Sequence, residues 1–141
     1  MRIAVVDGMG GGIGAQIVQR LKAIIAAPHS IIALGTNASA TSAMVKAGAD
    51  VGATGENAIA FNAARSDCIA GPVGIVIANS MMGEISPAIA TAVASSNAVK
   101  VLIPLQQAHV EFVGVESKPL STMLDQLADR IAAILTKEPG Q

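Results

Sequence analysis

The chain has 141 residues, a length typical of one domain with its own hydrophobic core. Its formal net charge is −1, and it has two Phe residues but no Trp or Tyr, so neither a basic surface nor an aromatic stacking platform supports nucleic-acid binding. Charged residues make up only 13% against 52% hydrophobic ones. So little charge is more consistent with a homo-oligomer that buries an apolar face than with a soluble monomer rich in Ala and Gly.

A membrane-spanning segment is not expected. The most apolar stretch, residues 68–83, is interrupted by Pro72, Asn79 and several glycines and is shorter than the roughly 20 residues that a span needs. The N-terminus leads directly into a strand-like pattern instead of a signal peptide, and the single Cys68 excludes an internal disulfide. We therefore expect a cytoplasmic protein.

Strand and helix patterns alternate along the chain. Apolar runs predict strands at residues 2–6, 30–34, 67–70 and 99–105. Helical spacing and capping residues predict helices at residues 13–25, 38–47, 56–64 and 87–95, and a terminal helix introduced by Pro119. The segment 48–55 is predicted to be a loop, residues 71–84 fit neither pattern, and the tail 137–141 is expected to be frayed.

Residues 110–115 alternate in polarity like a half-exposed strand. Only a short segment separates them from the fourth predicted strand, and a parallel crossover needs a dozen or more residues. They are therefore predicted to form an antiparallel edge strand. The whole pattern predicts a single α/β domain over residues 1–141, a three-layer Rossmann-like fold with four parallel strands and that antiparallel edge.

The sequence DGMGGGIG, residues 7–14, lies between the first predicted strand and helix, where a dinucleotide-binding fingerprint is found. Bare backbone N–H groups at a helix N-terminus can bind a pyrophosphate. The alternative is a tight turn with close packing and no ligand. The residues predicted to bind a cofactor here are Gly8, Gly10, Gly11, Gly12, Ile13 and Gly14.

Two features weaken the case for NAD or NADP as the cofactor. Asp7 would repel a phosphate unless compensated, although it could instead hold Mg²⁺, accept a ligand hydroxyl or bond the loop amides. After the second strand, where an acidic residue normally binds the ribose, the chain has Thr36 and Asn37. These two side chains could bind a ribose or a 2′-phosphate, or could cap the following helix.

Polar residues in two further loops are candidates for the same site. Asn79, Ser80 and Glu84 interrupt an apolar segment and predict either a pocket wall or a hydrogen-bonded turn. Glu56 begins a helix after a third loop. If the protein is an enzyme, Asp7, Glu56 and Glu84 are the plausible acid–base groups among these loops. His29 is expected at the opposite, solvent-exposed edge of the sheet, and His109 lacks a paired Cys or acid at metal-ligand spacing, so no metal site is predicted.

Two resemblances bear on function. Residues 8–14 resemble the GxxxGIG loop of short-chain dehydrogenases, but the catalytic Tyr-x-x-x-Lys of that family cannot exist in a chain without tyrosine. The motifs DGMGGGIG, GTNASATSAM, GATGENA and NSMMGE together resemble a family of short bacterial proteins of unknown function and Rossmann-like appearance. This resemblance implies a fold and a bacterial origin, with no activity attached.

The sequence thus predicts a small nucleotide- or dinucleotide-binding protein, with phosphates on residues 8–14, the ribose near Thr36 and Asn37, and other pocket groups from 79–84. The missing catalytic set favours a binding or regulatory role over turnover. The alternative is an oligomeric scaffold or regulatory subunit whose glycine loops pack against a partner chain without a nucleotide.

Overall fold

A computed structural model describes residues 1–137 of the chain, so the last four residues of the predicted frayed tail lie outside it. The strands are β1 (Arg2–Asp7), β2 (Ser30–Gly35), β3 (Val51–Thr54), β4 (Cys68–Pro72) and β5 (Val99–Ile103). The helices are α1 (Gly12–Ile24), α2 (Ala38–Lys46), α3 (Glu56–Ala63), α4 (Pro87–Ser95) and α5 (Leu120–Thr136). One 3₁₀ turn, Val73–Val76, follows β4 directly.

The five strands form one sheet in the order β3-β2-β1-β4-β5, and every pair is parallel. Strand β1 is central, pairing Ile3 with Ile31 of β2 on one side and with Cys68 of β4 on the other. Alternate residues of β1 face opposite sides of the sheet. The α/β class and the parallel Rossmann-like sheet are confirmed.

Helices cover both faces of the sheet and complete three layers. One core joins Ile3 and Val5 of β1 to buried residues of α1, α2 and α5. The other joins Ala4 and Val6 to α3, α4 and the 3₁₀ turn. Because β1 is buried on both faces, its sequence is a continuous apolar run, as is usual for a central parallel strand.

The prediction of a loop at residues 48–55 was wrong, because β3 lies there and pairs with β2. This edge strand is short and mostly exposed, and it contains no continuous apolar run. A Cβ on Gly52 would lie 2.7 Å from Val45 Cγ2 and 2.8 Å from Thr41 Cγ2 of α2, so close packing against that helix requires glycine in the strand. Gly52 allows this close packing, but glycine is uncommon in strands, so it also makes β3 hard to predict from the sequence.

The predicted antiparallel edge strand was wrong as well. Residues 110–115 form no strand in the described structure, and the chain reverses at an isolated bridge between Gln107 and Val110. Strand β5 ends at Ile103, and the side chain of Val113 is 99% exposed. Alternation in polarity therefore did not reflect a buried face here.

The predicted helix starts agree with the capping geometry. The Asn37 side chain accepts the Ala40 amide and caps α2, while Ser86 accepts the Ile89 amide and caps α4, with Pro87 at the first helical position. None of the helices in residues 1–137 combines the length and apolar character required to cross a bilayer.

Candidate functional site

The carboxyl ends of β1 and β4 mark the point where the strand order reverses. From β1 the chain moves outward through β2 to β3 and then returns to place β4 on the other side of β1. In open α/β sheets, ligands bind in the crevice at such a switch point. The loop after β1 contains residues 8–11, and the segment after β4 contains residues 73–86.

Asp7 ends β1 and is almost completely buried. Its Oδ1 accepts the Gly8 amide at 2.8 Å, and its Oδ2 accepts the Gly14 amide at 2.7 Å. Burial raises the pKa of Asp7, and the nearby Glu84 carboxylate raises it further, while the two amide hydrogen bonds act in the opposite direction. Of the three roles considered for Asp7, the geometry fits the bonding of loop amides.

Glu84 reaches from the segment after β4 to the ends of β1 and β2. Its Oε1 accepts the Thr36 hydroxyl at 2.6 Å, the Asn37 side-chain amide at 2.8 Å and the Met9 backbone amide at 3.0 Å. These hydrogen bonds, led by that of Thr36, lower the pKa of Glu84. Glu84 is therefore held as an anion at the place where the sequence lacked an acidic residue after β2.

Asn37 has further partners that fix the loop after β1. Its Nδ2 also donates to the Met9 carbonyl at 3.0 Å, and its Oδ1 accepts the Ala40 amide at 2.8 Å. Both backbone polar groups of Met9, a residue with φ of 53°, are thus bonded. Thr36 and Asn37 hold the loop in this structure, and their role toward a ribose stays a prediction.

Three of the five glycines in residues 8–14 are required by the fold. A Cβ on Gly8 would lie 2.8 Å from Thr36 Oγ1, and one on Gly14 would lie 2.6 Å from Met44 Sδ. Gly11 has φ of 73°, and its Cβ would lie 2.8 Å from the Ala40 backbone. Tight packing explains these three positions, as the ligand-free interpretation of the loop predicts.

Gly10 and Gly12 have no such requirement. A Cβ at either position would meet nothing within 4 Å, and neither residue is in the left-handed region. Within residues 1–137, moreover, the backbone amides of Gly10, Gly12 and Ile13 have no hydrogen-bond acceptor. Bare, unsatisfied backbone is therefore exposed at the N-terminus of α1.

A pocket of about 370 Å³ opens beside this backbone, and we call it the switch-point pocket. One wall is the loop after β1 and the start of α1, and the other comes from the ends of β4 and β5. Its lining residues are Asp7, Gly8, Met9, Gly10, Gly11, Gly12, Ile13, Gln16, Pro72, Met81, Leu105, Gln106 and Gln107.

Sequence reasoning missed the second wall of this pocket. Gln106 and Gln107 follow β5 at the carboxyl edge of the sheet, which is the signal that could have identified them. Gln16 lies one turn into α1, and its Nε2 donates to the Gly12 carbonyl at 3.3 Å. Met81 packs against the core that includes α3 and α4 and also contributes to the pocket wall.

Other predicted site residues lie elsewhere. Asn79 is an exposed turn residue with φ of 65°, and the Ser80 hydroxyl donates to the Gly74 carbonyl. Glu56 lies in the first turn of α3 and accepts the hydroxyl of Ser86, the N-cap of α4. None of these three lines the switch-point pocket. Gly14 is likewise enclosed between Asp7 and Met44.

A larger open cavity, about 810 Å³, lies against the irregular segment that joins β5 to α5. Its lining comes from residues 104–112 and 115–118 together with Met123, and it shares Leu105, Gln106 and Gln107 with the switch-point pocket. No group of three His, Cys, Asp or Glu side chains arranged to hold a metal ion occurs in residues 1–137.

A three-layer parallel α/β domain with a glycine-rich loop at its switch point defines a Rossmann-like protein. The sequence-family model described as Domain of unknown function (DUF3842) matches residues 2–136, and the chain belongs to this family. The resemblance to a family of unknown function is thereby confirmed. A comparison with curated proteins found no match.

Among solved structures, the chain is similar to a dodecameric FMN-dependent UbiX-like decarboxylase from Escherichia coli O157:H7. The sequences are 14% identical, the alignment covers 99% of this chain and 96% of the other, and the TM-score is 0.47.

Proposed function

We propose that this protein binds a nucleotide or dinucleotide in the switch-point pocket, with a phosphate on the amides of Gly10, Gly12 and Ile13. The observation that carries the proposal is the unexplained glycine at positions 10 and 12. Neither left-handed backbone nor neighbouring atoms require it there, whereas both positions border the pocket. Glycine is the residue that lets a ligand approach the main chain closely.

The electrostatics at the start of α1 support an anion. The first residues of a helix leave amide donors without partners, and the helix dipole adds about half a positive charge at its N-terminus. Helix α1 has 13 residues, enough for a developed dipole. A phosphate oxygen would supply acceptors for three amides that have none within residues 1–137.

The remaining pocket fits the rest of such a ligand. Its volume of about 370 Å³ lies in the range of small-molecule sites. Apolar groups from Pro72, Met81 and Leu105 provide surfaces for a ring, and the carboxamides of Gln106 and Gln107 provide donors and acceptors. NAD and NADP are the first ligands to test, followed by other nucleotides and flavins.

We infer a binding or regulatory role in preference to catalysis. Asp7 has both carboxylate oxygens bonded to loop amides, and Glu84 Oε1 accepts three hydrogen bonds from neighbouring loops. Glu56 bonds to a helix cap outside the pocket. All three candidate acid–base groups therefore form structural hydrogen bonds with other parts of the protein.

The experiment is a thermal-shift panel with NAD, NADP, ATP, CoA, FMN and FAD on the wild type and on Gly12→Val. A ligand at 100 times its dissociation constant stabilises the folded state by about 2.7 kcal/mol. We expect a shift with at least one nucleotide and its loss in Gly12→Val, whose added side chain extends from the pocket wall. Ala88→Val adds a similar side chain to the exposed first turn of α4 and should keep the shift.

No shift with any of these ligands would contradict the proposal. Loss of folding in Gly12→Val would instead favour close packing as the reason for the glycine.

A second candidate function is assembly into a homo-oligomeric scaffold or regulatory subunit. Val113 is 99% exposed and Val115 is 50% exposed in the segment after β5, and Val99, which is 49% exposed, begins β5, the last strand in the sheet order. Exposed apolar side chains that form a contiguous patch mark interaction surfaces. A second copy of this chain is the partner that the low charge content favours, and native mass spectrometry of the purified protein tests it.

A further inference from the structure

Within residues 1–137, no positively charged side chain lines the switch-point pocket. Among the described residues that line it, Asp7 is the ionisable group, and the other polar side chains are Gln16, Gln106 and Gln107. A terminal phosphate monoester carries about −1.5 to −2 charge at neutral pH, and protein sites for it commonly supply Arg or Lys. Here the donors for an anion are neutral backbone amides.

Two acidic side chains bond to other amides of the same loop. Asp7 accepts the Gly8 and Gly14 amides, and Glu84 accepts the Met9 amide, so the loop that would hold the phosphate is flanked by two carboxyl groups. The Glu84 pKa is lowered, which keeps this group ionised at neutral pH. Every additional negative charge on a bound phosphate is therefore repelled without compensation from the pocket walls.

We propose that the switch-point pocket selects phosphates that carry a single charge, such as the pyrophosphate diester of a dinucleotide, and discriminates against terminal phosphate monoesters. This inference rests on the proposed nucleotide-binding function and names its ligand class. The amides of Gly10, Gly12 and Ile13 and the helix dipole balance one charge per phosphate. The uncharged Gln106 and Gln107 then face the part of the ligand beyond the pyrophosphate.

The test uses two ligand pairs that differ in whether the outer phosphate is esterified: ADP-ribose against ADP, and UDP-glucose against UDP. Dissociation constants are measured by isothermal titration calorimetry at low and moderate salt. For at least one pair we expect the diester to bind about tenfold or more tightly than the monoester, a difference of about 1.4 kcal/mol. The ratio should decrease as salt screens the repulsion.

A charge-insertion variant separates repulsion from simple loss of contacts. Gln16→Lys places a cation at the pocket wall. We expect this variant to bind the monoesters more tightly, so that the ratio of diester affinity to monoester affinity falls by about tenfold. Gln16→Met, of similar length and without charge, is the matched control and should keep the wild-type ratio.

Equal affinity for both members of each pair would overturn the charge selection and leave the proposed function standing. A ratio that Gln16→Lys does not change would also overturn it, because contacts of the extra ligand group would then explain the preference. If none of the four compounds binds, the charge selection fails, while the thermal-shift panel with NAD, NADP, ATP, CoA, FMN and FAD decides the proposed function.

Discussion

The carboxylate of Asp7 accepts the backbone amide of Gly14 at 2.7 Å, across the turn that joins β1 to α1. Gly14 is the third residue of α1, so the acidic side chain that ends the central strand also satisfies an orphan donor of the helix that follows. The second oxygen of the same carboxylate binds the Gly8 amide. Asp7 thus ties the end of β1 to the start of α1 through two backbone amides.

Replacing Asp7 by Asn should destabilise the fold. The side-chain amide has one acceptor oxygen, so either Gly8 or Gly14 loses its buried partner, at a cost of about 1–3 kcal/mol. Chemical denaturation monitored by circular dichroism measures the loss. Asp125→Asn is the control: Asp125 is exposed and pairs with Arg20 at 3.1 Å, so its replacement should cost about 1 kcal/mol or less. Equal effects of the two substitutions would contradict the role of Asp7.

Replacing the adjacent residues Gly11 and Gly12 by alanine should have opposite effects on the free energy of unfolding. Gly11→Ala places a Cβ in a left-handed residue 2.8 Å from the Ala40 backbone and should lower the free energy of unfolding by about 1–3 kcal/mol. Gly12→Ala lies in open space in the first turn of α1, and reduced chain entropy in the unfolded state should stabilise it by up to about 1 kcal/mol. Equilibrium unfolding of both variants checks the difference, and a large loss in Gly12→Ala would show that packing also requires Gly12.

The stabilisation that Glu84 provides should depend on pH. Its pKa is lower in the folded state than in the unfolded chain, so the stabilisation is present above the ordinary Glu value and is lost as pH falls through the folded-state pKa. The difference in unfolding free energy between the wild type and Glu84→Gln should therefore be largest near neutral pH and shrink below about pH 4.

Asp7 acts with the opposite sign, because burial raises its pKa; Glu84→Gln leaves that burial in place and removes only the smaller effect of the Glu84 charge on Asp7. Urea unfolding at several pH values measures the difference. If the difference in unfolding free energy between the wild type and Glu84→Gln does not change with pH, the charge of Glu84 does not contribute to stability beyond that of a neutral hydrogen-bond acceptor.

Gly52 of β3 should be intolerant of any side chain. A Cβ there would meet Val45 and Thr41 of α2 at 2.7 and 2.8 Å, so Gly52→Val should cost about 1–3 kcal/mol through overpacking. Val51→Thr, at a neighbouring position that is 57% exposed, should cost about 0.5 kcal/mol or less. Thermal unfolding of the pair tests how tightly α2 holds the edge strand, and a neutral Gly52→Val would show that α2 can move away.

Self-association through the β5 side of the molecule predicts a sensitive position at Val113. Val113→Asp should leave folding stability within about 0.5 kcal/mol, because the side chain is 99% exposed, while weakening the assembly. Met82→Asp alters a residue that is 94% exposed in the segment after β4 and should leave the assembly intact. Sedimentation velocity measures both, and an assembly unaffected by Val113→Asp would place the interface on another surface.

Much of the fold could be predicted because its central strands are buried on both faces. The runs at β1 and β2 are apolar throughout, and Asn37, Ser86 and Pro87 mark the starts of their helices. The edges were predicted less well. Strand β3 is short and contains Gly52, whereas residues 110–115 contain β-forming residues but form no strand.

The site was partly predictable for a similar reason. The glycine loop follows the first strand, and its position at the switch point depends only on strand order. Which glycines serve the fold and which border open space depends on atoms of α2 and Met81 that are distant in sequence. The same holds for Glu84, which supplies the carboxylate near Thr36 from a loop 48 residues further along the chain.

The walls of the switch-point pocket come from residues as far apart as Asp7 and Gln107. The central strand β1 pairs with its second neighbour only after β4 has been made, and the second wall of the pocket includes residues that follow β5. During synthesis, therefore, the glycine loop emerges early but has no opposite wall until most of the chain has been made. The ligand binding that we propose should therefore begin only after β5 and the residues that follow it have been made.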